Sequence, residues 1–224
     1  MSIFSRRTAD NGPPPRHRCS AWSGDQLLHL LDNSLAHLAM TTSLLLDREL
    51  PRGRTIHHLQ VMQMHVQLLA LLAQAWVTLD QDGPWKLPPP EGCDLAETLV
   101  YALHAYDRER MGIKAHASPS LPRIPGDRRD WQYVLRAMVH TAVMQRQRSE
   151  LEVVTNRTSN TVTIKFRRHG EEQGGLSDNA LQLLVAACRS IIEGYGGKLT
   201  VRDTRRQGWR AVAEMPFAAM IETS

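Results

Sequence analysis

Leu27–Trp76 reads LLHLLDNSLAHLAMTTSLLLDRELPRGRTIHHLQVMQMHVQLLALLAQAW. Leu28, Leu31, Leu35, Leu38, Thr42 and Leu45 are spaced three and four apart, the a/d seam of a helical bundle. Counted from that seam, His29, Asn33 and His37 fall on outer positions, with Asp32 flanking it. Asp47–Arg54 contains Pro51 and Gly53, both helix breakers, so a loop is expected there. The second helix, Thr55–Leu79, is apolar around most of its circumference, with Gln60, Gln63, Gln67 and Gln74 as a polar edge. Two helices cannot enclose so much Leu and Met, so a second copy of the hairpin is expected to complete a dimeric four-helix bundle.

The flanking sequence sets the organisation. Residues 1–22 are polar and Pro/Arg-rich with no apolar run, so they read as a disordered tail and not a secretory signal. Residues 23–81 form the hairpin, and 82–93 (DGPWKLPPPEGC) the linker. From 94 to 217 the period alternates between helical and β. Asp94, with Glu97 three residues on, caps a helix Leu95–Arg110, and Asp127 caps a helix Arg128–Arg148. Gly112–Ala117 is a short strand; Glu150–Val154 and Thr161–Phe166 form a hairpin; a helix Asp178–Gly194 follows; Lys198–Asp203 and Trp209–Met215 close the chain. Such an order is an α+β sandwich with a mixed sheet covered on one face.

Several function classes are excluded by residue type. Cys19, Cys93 and Cys188 are too few and too scattered for a disulfide framework or a zinc site, and a reducing, cytoplasmic compartment is expected. The histidines of the second helix, His57, His58 and His65, lack an i, i+4 metal-ligand partner, so no metal is expected. Gln and His interrupt the longest apolar run, which argues against a membrane span. The net charge of +4 lies in short arginine groups without interleaved aromatics, which fits an acidic protein partner better than nucleic acid.

Two longer strings carry a family resemblance. Cys93–Val143, with Gly126-Asp127, Trp131, Val134 and Leu135, resembles the start of the catalytic domain of two-component histidine kinases. Ala180–Phe217, with Gly196-Gly197 and Tyr195 where the family has histidine, resembles its last helix, glycine turn and final hairpin. The resemblance spans Gln26 to Phe217 and implies a dimerising hairpin followed by an ATP-binding sandwich. It also exposes departures. Thr141 stands where the family has its Mg²⁺-binding asparagine, with Ala137 at the earlier asparagine position, and Arg168 stands at the adenine-binding aspartate, with only Gly170 matching nearby. A guanidinium donates only and cannot accept from the adenine amino group. The glycine-rich lid is reduced to EEQGGLSDNALQLL, so no nucleotide cofactor is expected.

That combination is similar to histidine phosphotransferases built on degenerate kinase folds, such as sporulation phosphotransferase B and the Caulobacter cell-cycle phosphotransferase. The resemblance implies a phosphorylated helix histidine exchanging phosphate with receiver-domain aspartates. His29, with Asn33 four residues on and Leu35 six on, matches the spacing of that site; Asp32 sits one turn away, and Leu30 replaces the usual acidic neighbour. His37, followed by Thr41, is the competing position. A different class is also compatible: a catalytically empty adaptor that binds a histidine kinase or response regulator.

Overall fold

A computed structural model of the chain describes residues 24–46, 52–80, 92–104, 106, 112–116, 118, 121–145, 150–168, 178–204 and 208–217. The expected tail, most of the linker, Gly170 and the 171–177 part of the shortened glycine-rich segment lie outside these residues. The elements run α1 (Gly24–Leu46), α2 (Arg52–Asp80), α3 (Leu95–His104), β1 (Ile113–His116), α4 (Arg128–Gln145), β2 (Leu151–Arg157), β3 (Thr161–Arg168), α5 (Asp178–Gly194), β4 (Lys198–Thr204) and β5 (Gly208–Pro216). This is the mixed α+β order expected from the periodicity.

The five strands form one sheet in the order β1-β2-β3-β5-β4. β1 pairs with β2 in parallel and the other pairs are antiparallel. Strand alternation divides the side chains cleanly. Leu151 and Val153, Val162, Ile164 and Phe166, Leu199, and Trp209, Ala211, Ala213 and Met215 are buried on the face that α4 and α5 cover.

Helix starts follow local chemistry. Glu97 donates its backbone N–H to Asp94 Oδ1 (3.0 Å), as a capping aspartate requires. Arg129 N–H does the same to Asp127 Oδ1 (2.6 Å), and the Glu97 side chain reaches Arg128 across the α3–α4 contact (2.9 Å). α2 begins at Arg52 and not at Thr55. Gly53 falls in its first turn, where the first N–H groups have no intrahelical partner, so it does not disrupt the helix.

Two expectations about the hairpin are corrected. The a/d seam of α1 splits in two. Ser34 and Thr41 are buried with Leu31, Leu38 and Leu45 half-buried beside them, whereas Leu35 is 53% exposed and Thr42 exposed. Small hydroxyl residues let α1 approach α2 closely, and Thr41 satisfies its hydroxyl on the His37 carbonyl (2.7 Å). The second correction concerns α2. Thr55–Asp80 is long and apolar enough, by length and composition, to cross a membrane, because its Gln and His are too few to offset the aliphatic residues around them. In the fold one side of it (Met64, Leu68, Leu71, Leu72, Ala75) is buried in a single core shared with α3, α4, α5 and the sheet. α2 lies along α5 and touches α4.

The glycine turn after α5 is set by close approach. A Cβ on Gly197 would stand 2.6 Å from the Glu214 carbonyl oxygen and 2.9 Å from Ile192 Cγ2, and would also overlap Met215 Sδ. Gly197→Ala should therefore cost about 1–3 kcal/mol by overpacking. The check is a fall in urea midpoint at unchanged m-value; an unchanged midpoint would show that β4 and β5 yield without strain.

Candidate functional site

The two motifs that carried the family resemblance meet in space. Gly126, at φ 119°, turns the chain into α4 where a Cβ would lie 2.7 Å from both Trp131 Nε1 and the Tyr195 ring. Trp131 Nε1 donates to the Pro125 carbonyl (2.8 Å). Tyr195 Oη donates to Asp130 Oδ2 (2.6 Å) and accepts from the Asp127 N–H (3.3 Å). Burial, then the Asp130 hydrogen bond, raises the Tyr195 pKa well above the ordinary phenol value, so it remains a donor. The tyrosine at the usual histidine position is thus a structural latch.

α4, the helix carrying the substituted asparagine positions, is sealed. Every residue from Ala137 to Val143 is buried, nearly two full turns, so no side of this stretch reaches solvent. Thr141 is 0% exposed and its Oγ1 has no hydrogen-bond partner. Arg168 is also buried, on the core side of β3 opposite Trp209, and burial lowers its pKa to about 10. Arg168 offers no side-chain acceptor, and the Thr141 hydroxyl, buried in the core, is not open to solvent.

On α1, Asp32, Asn33 and His37 are all exposed. His29 lies one turn before Asn33 on the same helix; its side chain is outside the described residues. The structure thus brings Asp32 and Asn33 to the open side of α1 and separates them from Thr141 and Arg168 in the core. His37 has a partner that sequence spacing did not reveal. Its ring stacks on that of His65 in α2, centroids 4.9 Å apart and planes within 10°. His65 is half-buried with Nδ1 unpaired, and burial, then the nearby His37, lowers its pKa. Deeper still, His140 of α4 is 0% exposed with both ring nitrogens unpaired. Among the described residues no group of three His, Cys, Asp or Glu side chains is arranged to hold a metal ion.

No protein-family model and no characterised protein matches this chain by sequence. Solved structures do match by shape. The histidine kinase AdeS of Acinetobacter baumannii superposes with a TM-score of 0.50 at 15% identity, covering 84% of this chain and 98% of that one. Full-length ShkA in complex with AMPPNP gives 0.52 at 17% identity, over 88% of this chain and 46% of the other. The histidine kinase ThkA in complex with the response regulator protein TrrA gives 0.56 at 14% identity, over 86% and 60%. The fold is that of a histidine-kinase core. Identities this low carry the histidine-kinase-like architecture and not its chemistry.

Burial holds the His140 imidazole neutral, with a further contribution from His65, and moves its pKa from about 6.5 down to about 3. In the unfolded chain the ring titrates normally, so on acidification the unfolded state takes up a proton that the fold excludes. The stabilisation is complete above about pH 6.5 and is lost progressively as pH falls toward about 3. Urea unfolding over that range should show a steeper acid loss for the wild type than for His140→Leu. Equal slopes in the two proteins would mean that His140 does not stay neutral in the core.

Proposed function

We propose that this chain is a histidine phosphotransferase of a two-component phosphorelay, moving phosphate between His29 and the aspartates of receiver domains without binding ATP. One contrast carries it: α4 is sealed on every side where the kinase fold would meet a nucleotide, while the Asp32, Asn33 and His37 side of α1 is open. The ThkA structure, held with a response regulator, supports a receiver domain as the partner of such a fold. A cytoplasmic setting is part of the same proposal.

The chemistry asks little of the chain. An imidazole nitrogen of His29 attacks the phosphorus of an aspartyl phosphate in line; the P–O bond breaks, the receiver carboxylate leaves with its electron pair, and the imidazolium sheds its N–H proton. Asn33, one turn along, is placed to orient the ring or a phosphoryl oxygen, and Asp32 to stabilise the charged ring. The receiver supplies its own Mg²⁺.

Leu30, in place of an acidic neighbour to the histidine, favours a second reading. On that reading the chain is a pseudokinase adaptor that docks on a histidine kinase or response regulator and carries no phosphate. Incubation with phosphorylated receiver domains separates the two. Wild type should acquire a base-stable label that His29→Ala loses and His37→Ala keeps. Loss only in His37→Ala would move the site to the stacked pair. Binding without labelling would make the chain an adaptor.

The same proposal includes a homodimer through the hairpin. Ile56, Leu59, Gln63, Val66, Ala70, Ala73 and Val77 repeat at alternating spacings of three and four along α2, and all seven are exposed. They form a seam that a second hairpin would cover, and Leu35, exposed on α1, is a further apolar side chain available to it. Sedimentation should give twice the chain mass for the wild type and a monomer for Leu59→Glu/Val66→Glu. A monomeric wild type would refute the dimer.

A further inference from the structure

The sheet face turned away from the helices carries an unusual row of charge. Strand register places Lys114, Glu152, Arg167, Arg210 and Arg202 side by side across all five strands. Directly paired residues on one face have Cβ atoms about 5 Å apart, and like charges so placed repel. Arg210 therefore has an arginine opposite it on both sides. The next row holds His116, Val154, Lys165, Val212 and Thr200, and the one beyond pairs Glu214 with Lys198. Six lysines and arginines share these rows with two carboxylates, Glu152 and Glu214, and Glu150 stands at the edge beside Lys114.

Local pairing does not neutralise it. Lys114 binds Glu150 (2.8 Å), but among the described residues no carboxylate forms an ion pair with Arg167, Arg210, Arg202 or Lys165. Arg202 is exposed, Arg167, Arg210 and Lys165 are half-open, and Arg167 Nε has no partner. The described helices that meet the sheet do so on its other face.

We propose that this face docks the acidic surface of another protein, with Arg167, Arg210 and Arg202 as its centre. The three guanidiniums span two strand spacings, roughly 10 Å, and each can take a carboxylate in a two-pronged hydrogen bond. The surroundings select a protein over a phosphate polymer or a lipid surface. Glu152 and Glu214 would repel a continuous polyanion, and among the described residues the strands put no Phe, Tyr or Trp on this face for bases to stack on, His116 at its edge being the one ring. Half-exposed Val154 and Val212 beside the arginines match the mixed apolar and charged make-up of a protein interface. This surface lies across the sheet from α4 and α5 and does not depend on the phosphorelay reading.

The test uses the full chain and labelled polyglutamate, followed by fluorescence anisotropy, with duplex DNA and phosphatidylserine vesicles as competing probes. Wild type should bind polyglutamate, Arg210→Glu should weaken it about tenfold, and Arg189→Glu, an exposed change on α5, should leave it unchanged. Arg210→Gln guards against misfolding: it should weaken binding while its melting temperature stays at or above that of wild type, because it relieves repulsion. No binding by wild type, or equal losses in the Arg210 and Arg189 variants, would overturn the proposal. So would lower melting temperatures in both Arg210 variants, or preference for DNA or vesicles through Arg210.

Discussion

The burial of α2 against α5 and α4 is the contact on which the rest of the molecule depends. Met64, Leu68, Leu71, Leu72 and Ala75 leave water on one side of a long helix and join the core that continues through α4 and α5 to the sheet. Each large aliphatic side chain buried in this way contributes about 1.5–3 kcal/mol. The same contact turns a helix layer that is covered on one side into one covered on both. Together with α3, α5 and the sheet it leaves Ala137–Val143 no exposed side, and His140 lies in the core although nothing there pairs with it.

At the far end of the helix layer a polar contact does the fastening. Tyr195 spans from the end of α5 to Asp127 and Asp130 at the start of α4, and Gly126 and Gly197 leave room for the ring and for β5. These are the segments in which the histidine-kinase pattern is best preserved in the sequence, and their function here is architectural. Within this single helix Trp131, Val134 and Leu135 pack in the core, and Thr141, where the resemblance would place a metal-binding asparagine, is buried with them.

Much of the fold was legible because its signals are local. Alternation marked β2, β3, β4 and β5, a capping aspartate marked α3 and α4, and glycine marked the end of α5. The shared core of α2 was not legible in the same way. A helix apolar around most of its girth says that several faces are covered, not by what, and here Leu68 and Leu72 meet this chain's own α5 layer while Leu59 and Val66 remain exposed. Likewise the α1 seam was correct in period, but spacing alone could not tell the Leu31/Leu38 side, turned to α2, from the Leu35/Thr42 side, turned away. The candidate site was legible only as residue types on one helix: Asn33 and His37 are exposed as their outer positions required, and Asp32, expected to flank the seam, is exposed with them. The stacking of His37 on His65 was hidden because those rings are brought together by the hairpin across 28 positions of chain. The arginine row was hidden for a related reason, since it exists only once the register of β3, β5 and β4 is fixed.

On the phosphorelay reading, the sealed α4 also limits what the chain can do energetically. Without a nucleotide site it can accept only a phosphoryl group that another protein has already activated, so its contribution reduces to presenting a nucleophile at a fixed position. A helix does this well when it cannot roll or slide. Ser34 and Thr41, buried on α1, keep it close to α2, and α2 is anchored in turn by the core. Rigidity of the histidine-bearing helix therefore derives from the packing that closed α4. On this reading, a covered α4 and a nucleophile held still are two results of largely the same buried surface.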